Sequence, residues 1–239
     1  MKNLNRYIDH TLLRADAKTA EIQNLCFEAI ENNFYSVCVN TSFVALAKST
    51  INNAYKENPS NPFTQGDETS EAFTDDTPVK VVATIGFPLG ACSTQAKAFE
   101  ADDALKNGAD EIDMVMNIGA FKEHDYEYVA QDIATVVTIA QNYNATVKVI
   151  IETCLLTKDE IIAATDLAIS VGADFVKTST GFSTGGASYE DVKAMAEIIG
   201  SRGKIKASGG IRTREDAIKM LEAGASRIGC SNSVEIVSK

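Results

Sequence analysis

The segment Gly172-Ala173-Asp174-Phe175-Val176-Lys177 joins the end of an amphipathic stretch to a short apolar run. Similar steps occur at Gly108-Ala109-Asp110 and at Gly224-Ala225-Ser226, each between a helix-like pattern and a strand-like run. Glycine commonly follows the last residue of a helix, and short apolar runs bounded by turn residues are typical of buried strands. The repeated step therefore predicts βα units arranged around a parallel sheet.

Eight strand-like runs alternate with helical stretches along the chain. They cover residues 8–13, 36–40, 80–86, 111–117, 146–153, 175–180, 204–210 and 227–231. Helices are expected at 94–107, 157–171 and 213–223, and Thr157 and Glu160 have the spacing of a capping box. Because eight strands close a (β/α)8 barrel, we predict an α/β fold in a single domain, residues 1–239, built as a TIM barrel with a short N-terminal extension.

The composition restricts the possible partners of the chain. Its 239 residues are 45% hydrophobic and 23% charged, which is enough for one large domain with a sizeable core. No apolar run approaches the ~20 residues that span a bilayer, and the amino terminus lacks the apolar stretch of a signal peptide. We therefore expect a cytoplasmic protein without a membrane partner. The formal net charge of -11 argues against nucleic acid, since such binding relies on clustered Lys and Arg.

The cysteines and histidines do not form a recognisable ligand pattern. The five cysteines lack a C-x-x-C pair and a histidine at ligand spacing: Cys26, Cys38, Cys92, Cys154 and Cys230. We interpret them as reduced thiols and expect no metal site. Cys38 lies in an apolar run and is expected in the core, although the end of a barrel could expose its thiol to aldehydes. His10 and His124 are expected to be structural or surface residues.

Residues 57–78 interrupt the alternation of strands and helices with prolines, a glycine and six acidic residues. This composition buries little apolar surface and predicts a loop insertion. Because the segment joins a helix to the next strand, we expect it at the amino-terminal face of the barrel, opposite to the face where such barrels carry out catalysis. A docking surface for a partner is the alternative role.

Two lysines end short apolar strands and precede small polar residues. Lys177 is followed by Thr178-Ser179-Thr180-Gly181, and Lys206 by Ala207-Ser208-Gly209-Gly210. Burial disfavours the ammonium form and can leave a nucleophilic amine. If the two strands are neighbours, about 4.8 Å apart, the ammonium groups are expected to lower each other's pKa. This arrangement predicts Schiff-base chemistry.

Charged residues also occur inside the apolar runs of the fourth and fifth strands. Alternation places Asp113 on one face with Asn117, and Lys148 on one face with Glu152. A buried charge is costly unless it is paired, so Asp113 is a candidate counter-charge for the lysines, able to relay protons through water. A purely structural ion pair between Asp113 and Lys148 inside the barrel is the alternative.

Two glycine-containing loops follow the last two strands, at Ser208-Gly209-Gly210-Ile211-Arg212-Thr213 and at Gly229-Cys230-Ser231-Asn232-Ser233. Barrels of this type commonly bind a phosphate there on backbone N–H groups, and glycine permits the close approach and the unusual dihedral angles that this requires. The loops predict phosphate contacts from Gly209, Gly210, Ser231 and Asn232. An anionic small substrate is therefore compatible with the negative net charge.

Six strings, spread almost from end to end, carry a resemblance to a known family. They are Ile8-Asp9-His10-Thr11-Leu12-Leu13, Ile85-Gly86-Phe87-Pro88-Leu89-Gly90, Glu111-Ile112-Asp113-Met114-Val115, Lys148-Val149-Ile150-Ile151-Glu152-Thr153, Phe175-Val176-Lys177-Thr178-Ser179-Thr180-Gly181-Phe182 and Lys206-Ala207-Ser208-Gly209-Gly210-Ile211-Arg212. In these strings the chain resembles the deoxyribose-phosphate aldolases, which are class I aldolases of the barrel type. The Lys-Thr-Ser-Thr-Gly string is highly specific.

The resemblance implies roles for individual residues. Lys177 would form the Schiff base, Asp113 would shuttle protons, and Lys206 would tune the pKa of Lys177. Asp9 would belong to the polar network below the lysines. Lys148 would have a supporting role, and Gly181 would contact the phosphate. No metal or other cofactor is implied.

Two features depart from the family pattern. Members usually have consecutive serines after the last strand, where this chain has Ser231-Asn232, although an asparagine could still donate a hydrogen bond. The sequence also stops at Lys239, without the longer tail, ending in a tyrosine in some members, that assists proton exchange. We therefore expect slower turnover than in members that carry the tail.

The resemblance implies a carbon–carbon lyase that reversibly cleaves 2-deoxy-D-ribose 5-phosphate into acetaldehyde and D-glyceraldehyde 3-phosphate, in deoxyribonucleotide catabolism and carbohydrate degradation. A lysine aldolase acting on another phosphorylated sugar would use the same residues. A sugar-phosphate-binding barrel without activity would lose a reacting group, so the set Lys177, Asp113 and Lys206 favours an enzyme. The expected partners are a phosphorylated sugar and further copies of the chain, in a homodimer or a higher homo-oligomer.

Overall fold

The centre of the molecule is a closed barrel of parallel strands in the order β1-β2-β3-β4-β5-β6-β7-β8. The computed structural model describes residues 3–57 and 77–238. The strands are β1 (Ile8–Leu12), β2 (Ser36–Asn40), β3 (Lys80–Ile85), β4 (Glu111–Val115), β5 (Thr146–Ile150), β6 (Phe175–Lys177), β7 (Lys204–Ser208) and β8 (Arg227–Cys230). The predicted (β/α)8 barrel is confirmed, and a short 3-10 helix, Leu4–Tyr7, precedes β1 as the expected N-terminal extension.

Helices follow the strands and surround the barrel. They are α1 (Thr19–Glu31), α2 (Val44–Glu57), α3 (Thr94–Lys106), α4 (Ile118–Lys122), α5 (Tyr126–Gln141), α6 (Lys158–Ser170), α7 (Tyr189–Ile199), α8 (Arg214–Glu222) and α9 (Ser233–Val237). The capping box predicted at Thr157 and Glu160 is present at the start of α6. Gly108 and Gly172 have φ angles of 101° and 99°, as the turns that lead α3 and α6 back into strands require.

All eight strands begin at the predicted residue, but seven of them end earlier than predicted because the chain turns into loops at the carboxyl end of the barrel. Asn117 lies beyond β4 and caps α4 by accepting a hydrogen bond from the backbone N–H of Ala120. Glu152 lies beyond β5 with a φ of 53°, in the left-handed region. The predictions that Asn117 continues the face of Asp113, and Glu152 the face of Lys148, are therefore wrong.

The two faces of the sheet lie in different environments. Outward side chains such as Val37, Val81 and Ala83 belong to one continuous apolar core between the barrel and the helices. Inward side chains of the same sheet include buried charges, among them Asp113 and Lys148. Burial of apolar surface stabilises the fold mainly on the outer face of the barrel. The interior is consequently available for polar chemistry.

The acidic segment predicted at 57–78 lies, from residue 58 to residue 76, outside the described residues. Its predicted role, and the prediction of a single domain over 1–239, stay predictions. The described flanks are consistent with the expected position, because α2 ends at Glu57 and β3 begins at Lys80. Across the described part of the chain, none of the helices is long and apolar enough to cross a bilayer.

Gly90, in the loop between β3 and α3, provides a test of the packing at the upper edge of the barrel. Its φ is 67°, and a Cβ there would lie 2.1 Å from the carbonyl oxygen of Met116. Gly200, after α7, has a φ of 55°, but a Cβ there would meet nothing within 4 Å. We expect Gly200→Ala to lower the free energy of unfolding by about 1–3 kcal/mol through backbone strain alone, because its φ of 55° and ψ of -123° lie in a region that residues other than glycine rarely adopt. Gly90→Ala adds a clash with the backbone and should cost clearly more. Urea unfolding measures both losses; equal losses would contradict the close contact at Gly90.

Candidate active site

Lys177 is the last residue of β6 and lies opposite Lys206 of β7, whose Cα is its partner in the sheet register. The two strands are neighbours, as predicted. Lys177 is only 2% exposed, and Lys206 is completely buried. The absence of a side chain at Gly229 makes room for Lys206, because a Cβ there would lie 2.9 Å from the Cε of that lysine. The strand order thus brings two amines together inside the barrel.

Asp113 of β4 lies between these amines and a third one. Its Oδ2 is 2.7 Å from the Nζ of Lys177 and 2.8 Å from the Nζ of Lys206. Its Oδ1 is 2.9 Å from the Nζ of Lys148. Asp113 is completely buried, so water does not screen these contacts. The single negative charge of Asp113 is therefore shared among three lysines.

The ion pairs continue into a closed circuit, which we call the charge ring: Asp9, Lys206, Asp113, Lys148, Glu111 and Arg227. Asp9 Oδ2 is 2.5 Å from Lys206 Nζ, and Asp9 Oδ1 is 2.9 Å from Arg227 Nη1. Glu111 Oε2 lies 2.6 Å from Lys148 Nζ and 3.2 Å from Arg227 Nη1. Asp9 also accepts a hydrogen bond of 2.6 Å from the hydroxyl of Ser36. Positive and negative groups alternate around the circuit.

The carboxylates of the charge ring are held ionised. For each of them burial favours the neutral form, but the surrounding cations outweigh this effect. Lys206 and Arg227 lower the pKa of Asp9. Lys148 is the largest of the cationic influences that hold the pKa of Asp113 well below its ordinary value. Burial likewise opposes the charge of Lys148, yet Asp113 and Glu111 raise its pKa.

Lys177 and Lys206 respond differently to the same environment. Burial lowers the pKa of Lys177, Lys206 lowers it further, and Asp113 opposes the shift without reversing it. For Lys206, burial also favours the neutral amine, but the carboxylates of Asp113 and Asp9 together raise its pKa. The predicted mutual lowering is therefore wrong for Lys206, because that lysine contacts two carboxylates. Of the two amines, Lys177 is therefore the one that loses its proton more readily.

A cavity of about 360 Å³ opens at the carboxyl end of the barrel, and Lys177 lies in its wall. All the predicted phosphate-contact residues line the same cavity: Gly181, Gly209, Gly210, Ser231 and Asn232. The cavity has the size of a small-molecule site. Arg14 and Arg212 also line it, although neither was singled out from the sequence. Arg14 is ion-paired with Asp16 and Glu21, so its contribution to a local positive field at the cavity is reduced.

The glycine loops keep their backbone open to the cavity. Gly181, Gly209 and Gly210 have φ angles of 86°, 80° and 76°. A Cβ on Gly181 or Gly210 would meet nothing within 4 Å, so those backbones face open space. The side-chain amide of Asn232 donates a hydrogen bond of 2.7 Å to the carbonyl oxygen of Arg212. This hydrogen bond ties the last two loops together.

Glu152 holds the loop that follows Lys177. Its carboxylate accepts a hydrogen bond from the backbone N–H of Thr180 at 3.2 Å and another from the Thr180 hydroxyl. Glu152 is 2% exposed, and its left-handed backbone turns the side chain toward this loop. The sequence pattern marked Glu152 only as a charged residue of the fifth strand. A left-handed backbone at a residue other than glycine is uncommon and leaves little trace in a single sequence.

The remaining candidates lie apart from the cavity. His10 is buried and contacts Ser233 at 2.9 Å and Glu28 at 2.8 Å. His124 is exposed, and its ring nitrogen lies 2.8 Å from the hydroxyl of Tyr126. Cys38 is completely buried, where burial raises the pKa of its thiol. Over residues 3–57 and 77–238, no three His, Cys, Asp or Glu side chains are grouped so that they could hold a metal ion.

The comparisons with known proteins agree with this geometry. The family model of the DeoC/LacD family aldolases matches residues 4–233. A deoxyribose-phosphate aldolase of Thermococcus kodakarensis is 51% identical over 236 residues, covering 99% of this chain and 96% of the relative. One from Enterococcus faecalis is 50% identical over 235 residues, covering 98% and 96%. The solved structure of a tetrameric deoxyribose phosphate aldolase from Aeropyrum pernix has a TM-score of 0.83 at 30% identity, covering 98% of this chain and 89% of that one.

A closed parallel barrel whose cavity contains a buried lysine with a lowered pKa defines a lyase of the lysine-dependent aldolase class. The chain belongs to the DeoC/LacD family of aldolases.

Lys206→Leu tests the electrostatic coupling between the two lysines. The substitution removes one cation from beside Asp113, so Asp113 should hold the proton of Lys177 more strongly and raise the pKa of Lys177. Trapping of an imine with borohydride should then require a higher pH than in the wild type. Unfolding should also become easier by about 3–5 kcal/mol, because Asp9 and Asp113 lose a buried partner.

Lys204→Leu is the matched control, since Lys204 lies on the same strand but is exposed. It should leave the pH dependence of trapping unchanged. An unchanged pH dependence in Lys206→Leu would mean that Lys206 acts as a proton donor or has a structural role only.

Proposed function

We propose that this chain reversibly cleaves 2-deoxy-D-ribose 5-phosphate into acetaldehyde and D-glyceraldehyde 3-phosphate through a Schiff base on Lys177. The observation that carries the proposal is the position of Lys177, whose amine reaches the cavity while burial lowers its pKa. The names of the relatives at about half identity support the substrate. Deoxyribonucleotide breakdown is the corresponding metabolic context.

The neutral amine of Lys177 attacks the C1 aldehyde of the open-chain sugar and, after loss of water, forms a protonated imine. Loss of the C3 hydroxyl proton then allows the C2–C3 bond to break, and its electron pair moves toward the imine nitrogen to form an enamine. D-glyceraldehyde 3-phosphate leaves. Protonation of the enamine at C2 and hydrolysis of the imine release acetaldehyde and restore the amine.

Asp113 has the role of a proton carrier in this proposal, acting through water on the carbinolamine and on the C3 hydroxyl. Its Oδ2 lies 2.7 Å from the reacting amine, which is within hydrogen-bond reach. Lys206 keeps Lys177 deprotonated by its fixed charge. Lys148 and Asp9 have supporting roles, because they hold Asp113 and Lys206 through ion pairs of 2.9 Å and 2.5 Å.

The phosphate is proposed to bind at the glycine loops. Gly181, Gly209 and Gly210 offer backbone N–H groups without a side chain in the way, and Ser231 and Asn232 add polar side chains. Each of these residues lines the same cavity as Lys177, so one sugar phosphate could contact the glycine loops and Lys177 at the same time.

The relative from Aeropyrum pernix is described as tetrameric. A homo-oligomer of this chain stays a prediction.

Lys177→Arg tests the nucleophile. Arginine keeps a cation of similar reach but does not lose its proton near neutral pH, so imine formation should stop. Incubation of the wild type with acetaldehyde and borohydride should add an ethyl group to Lys177, detected by peptide mass. The variant should gain no adduct, and release of glyceraldehyde 3-phosphate in a coupled assay should fall by at least about 1,000-fold.

Lys204→Arg provides the matched control on a neighbouring strand and should keep wild-type activity. Substantial cleavage by Lys177→Arg would exclude Lys177 as the Schiff-base residue. A wild type that is trapped by acetaldehyde but releases no glyceraldehyde 3-phosphate would instead indicate an aldolase for another phosphorylated sugar.

Gly210→Ala tests the phosphate subsite. The added methyl group would enter the space in front of the loop, so we expect the KM for the sugar phosphate to rise about tenfold, equivalent to ~1.4 kcal/mol of binding. The rate with 2-deoxyribose, which lacks the phosphate, should change little. Gly200→Ala is the control, because Gly200 also has a positive φ and is not among the residues that line the cavity. Equal effects on both substrates would contradict a phosphate contact at Gly210.

A further inference from the structure

The charge ring is completed by two residues for which the proposed reaction has no use. Arg227 and Glu111 are the first residues of β8 and β4, so they lie nearer the amino-terminal end of the barrel than Lys177. They are 6% and 1% exposed. The described residues that line the cavity include neither of them. Their ion pair of 3.2 Å closes the circuit on the side away from substrate.

A count of the buried charges gives the ring a specific property. The negative groups are Asp9, Glu111 and Asp113, and the positive groups are Lys148, Lys206 and Arg227. The ring is therefore electrically neutral without Lys177. A proton on Lys177 would add an uncompensated positive charge to an interior that is shielded from water, and this is costly.

We propose that Glu111 and Arg227 are positioning residues of the aldolase reaction, which complete the charge balance of the ring and thereby control the protonation of Lys177 without touching substrate. The inference rests on the proposed role of Lys177. Arg227 is fixed in position by stacking, since its guanidinium carbon lies 3.4 Å from the centroid of the Tyr35 ring. Because Arg227 is fixed in position, its contribution to the charge balance of the ring stays constant.

The neighbouring groups leave this balance intact. Lys177 faces Asp113 from β4, Lys206 from β7 and Cys38 from β2. Burial raises the pKa of Cys38 and keeps its thiol uncharged at neutral pH.

On the amino-terminal side, Lys80 of β3 lies 3.6 Å from Glu111, but its side chain is 39% exposed and is screened by solvent. The ring of Tyr35 stacks on Arg227. Burial opposes the charge of Glu111, yet Lys148 and Arg227 lower its pKa. Burial also opposes the charge of Arg227, yet Asp9 and Glu111 raise its pKa. Both charges are therefore present during catalysis.

The test uses two substitutions of opposite sign. Arg227→Gln leaves the ring with a net negative charge, so Lys177 should hold its proton more strongly. The acid limb of the pH profile of imine trapping should move upward by about one pH unit. Glu111→Gln leaves a net positive charge, so the limb should move downward by a similar amount. The double variant restores neutrality, and its limb should return close to that of the wild type.

Arg227→Lys is the matched control, because it keeps the charge while it weakens the stacking on Tyr35. The acid limb of its pH profile of imine trapping should stay at the wild-type position, even if the midpoint of its unfolding falls. If the singly substituted variants lose activity without a shift, or shift in the same direction, the two residues have a structural role only and the inference is wrong. If Arg227→Gln does not fold, Glu111→Gln decides alone, since an unchanged or an upward-shifted limb overturns the inference. A wild type that forms no imine on Lys177 would overturn the proposed function instead.

Discussion

The buried carboxylate of Asp113 is the group on which the site depends. Its two oxygens contact three lysines at 2.7, 2.8 and 2.9 Å. Removing it would leave the buried cations of the site in excess over the remaining carboxylates, which is costly. The same carboxylate also separates the lysines by function. Lys148 and Lys206 each have a further acidic partner, Glu111 and Asp9, and stay charged, whereas Lys177 depends on Asp113 alone within the described structure. This unequal distribution of carboxylates favours loss of the proton from Lys177 over its loss from Lys148 or Lys206.

The barrel separates the ion pairs of the site from the apolar packing that stabilises the fold. The continuous apolar core lies between the strands and the helices, and the ion pairs lie inside the barrel. Loops at the carboxyl ends of the strands then form the cavity, and the sequence of these loops can vary. Gly181 and Gly210 expose backbone there, and Glu152 fixes the loop after Lys177. Changes in the loops can alter recognition while the barrel and its charges are maintained.

Much of this could be predicted from the sequence, because the signals are local. Three of the strand starts follow from apolar runs after Gly-Ala-Asp or Gly-Ala-Ser steps, and Lys177 and Lys206 were expected together because their strands are consecutive. The circuit that joins the charges could not be predicted. Arg227 and Glu111 are 116 residues apart, and their pairing depends on the closure and stagger of the barrel. The raised pKa of Lys206 has the same origin, because its second carboxylate comes from β1 at the other end of the chain.

The charged interior has a thermal consequence. Unfolding exposes apolar surface from the layer outside the sheet, which raises the heat capacity, and ionic groups from inside it, which lower the heat capacity. The two effects partly cancel, so the free energy of unfolding should curve less with temperature than it would for a barrel of equal size filled with aliphatic side chains. Hydration of ions also becomes less favourable on warming, which reduces the cost of keeping Asp9, Glu111 and Asp113 away from water. The charged interior should thereby flatten the temperature dependence of the stability of the barrel.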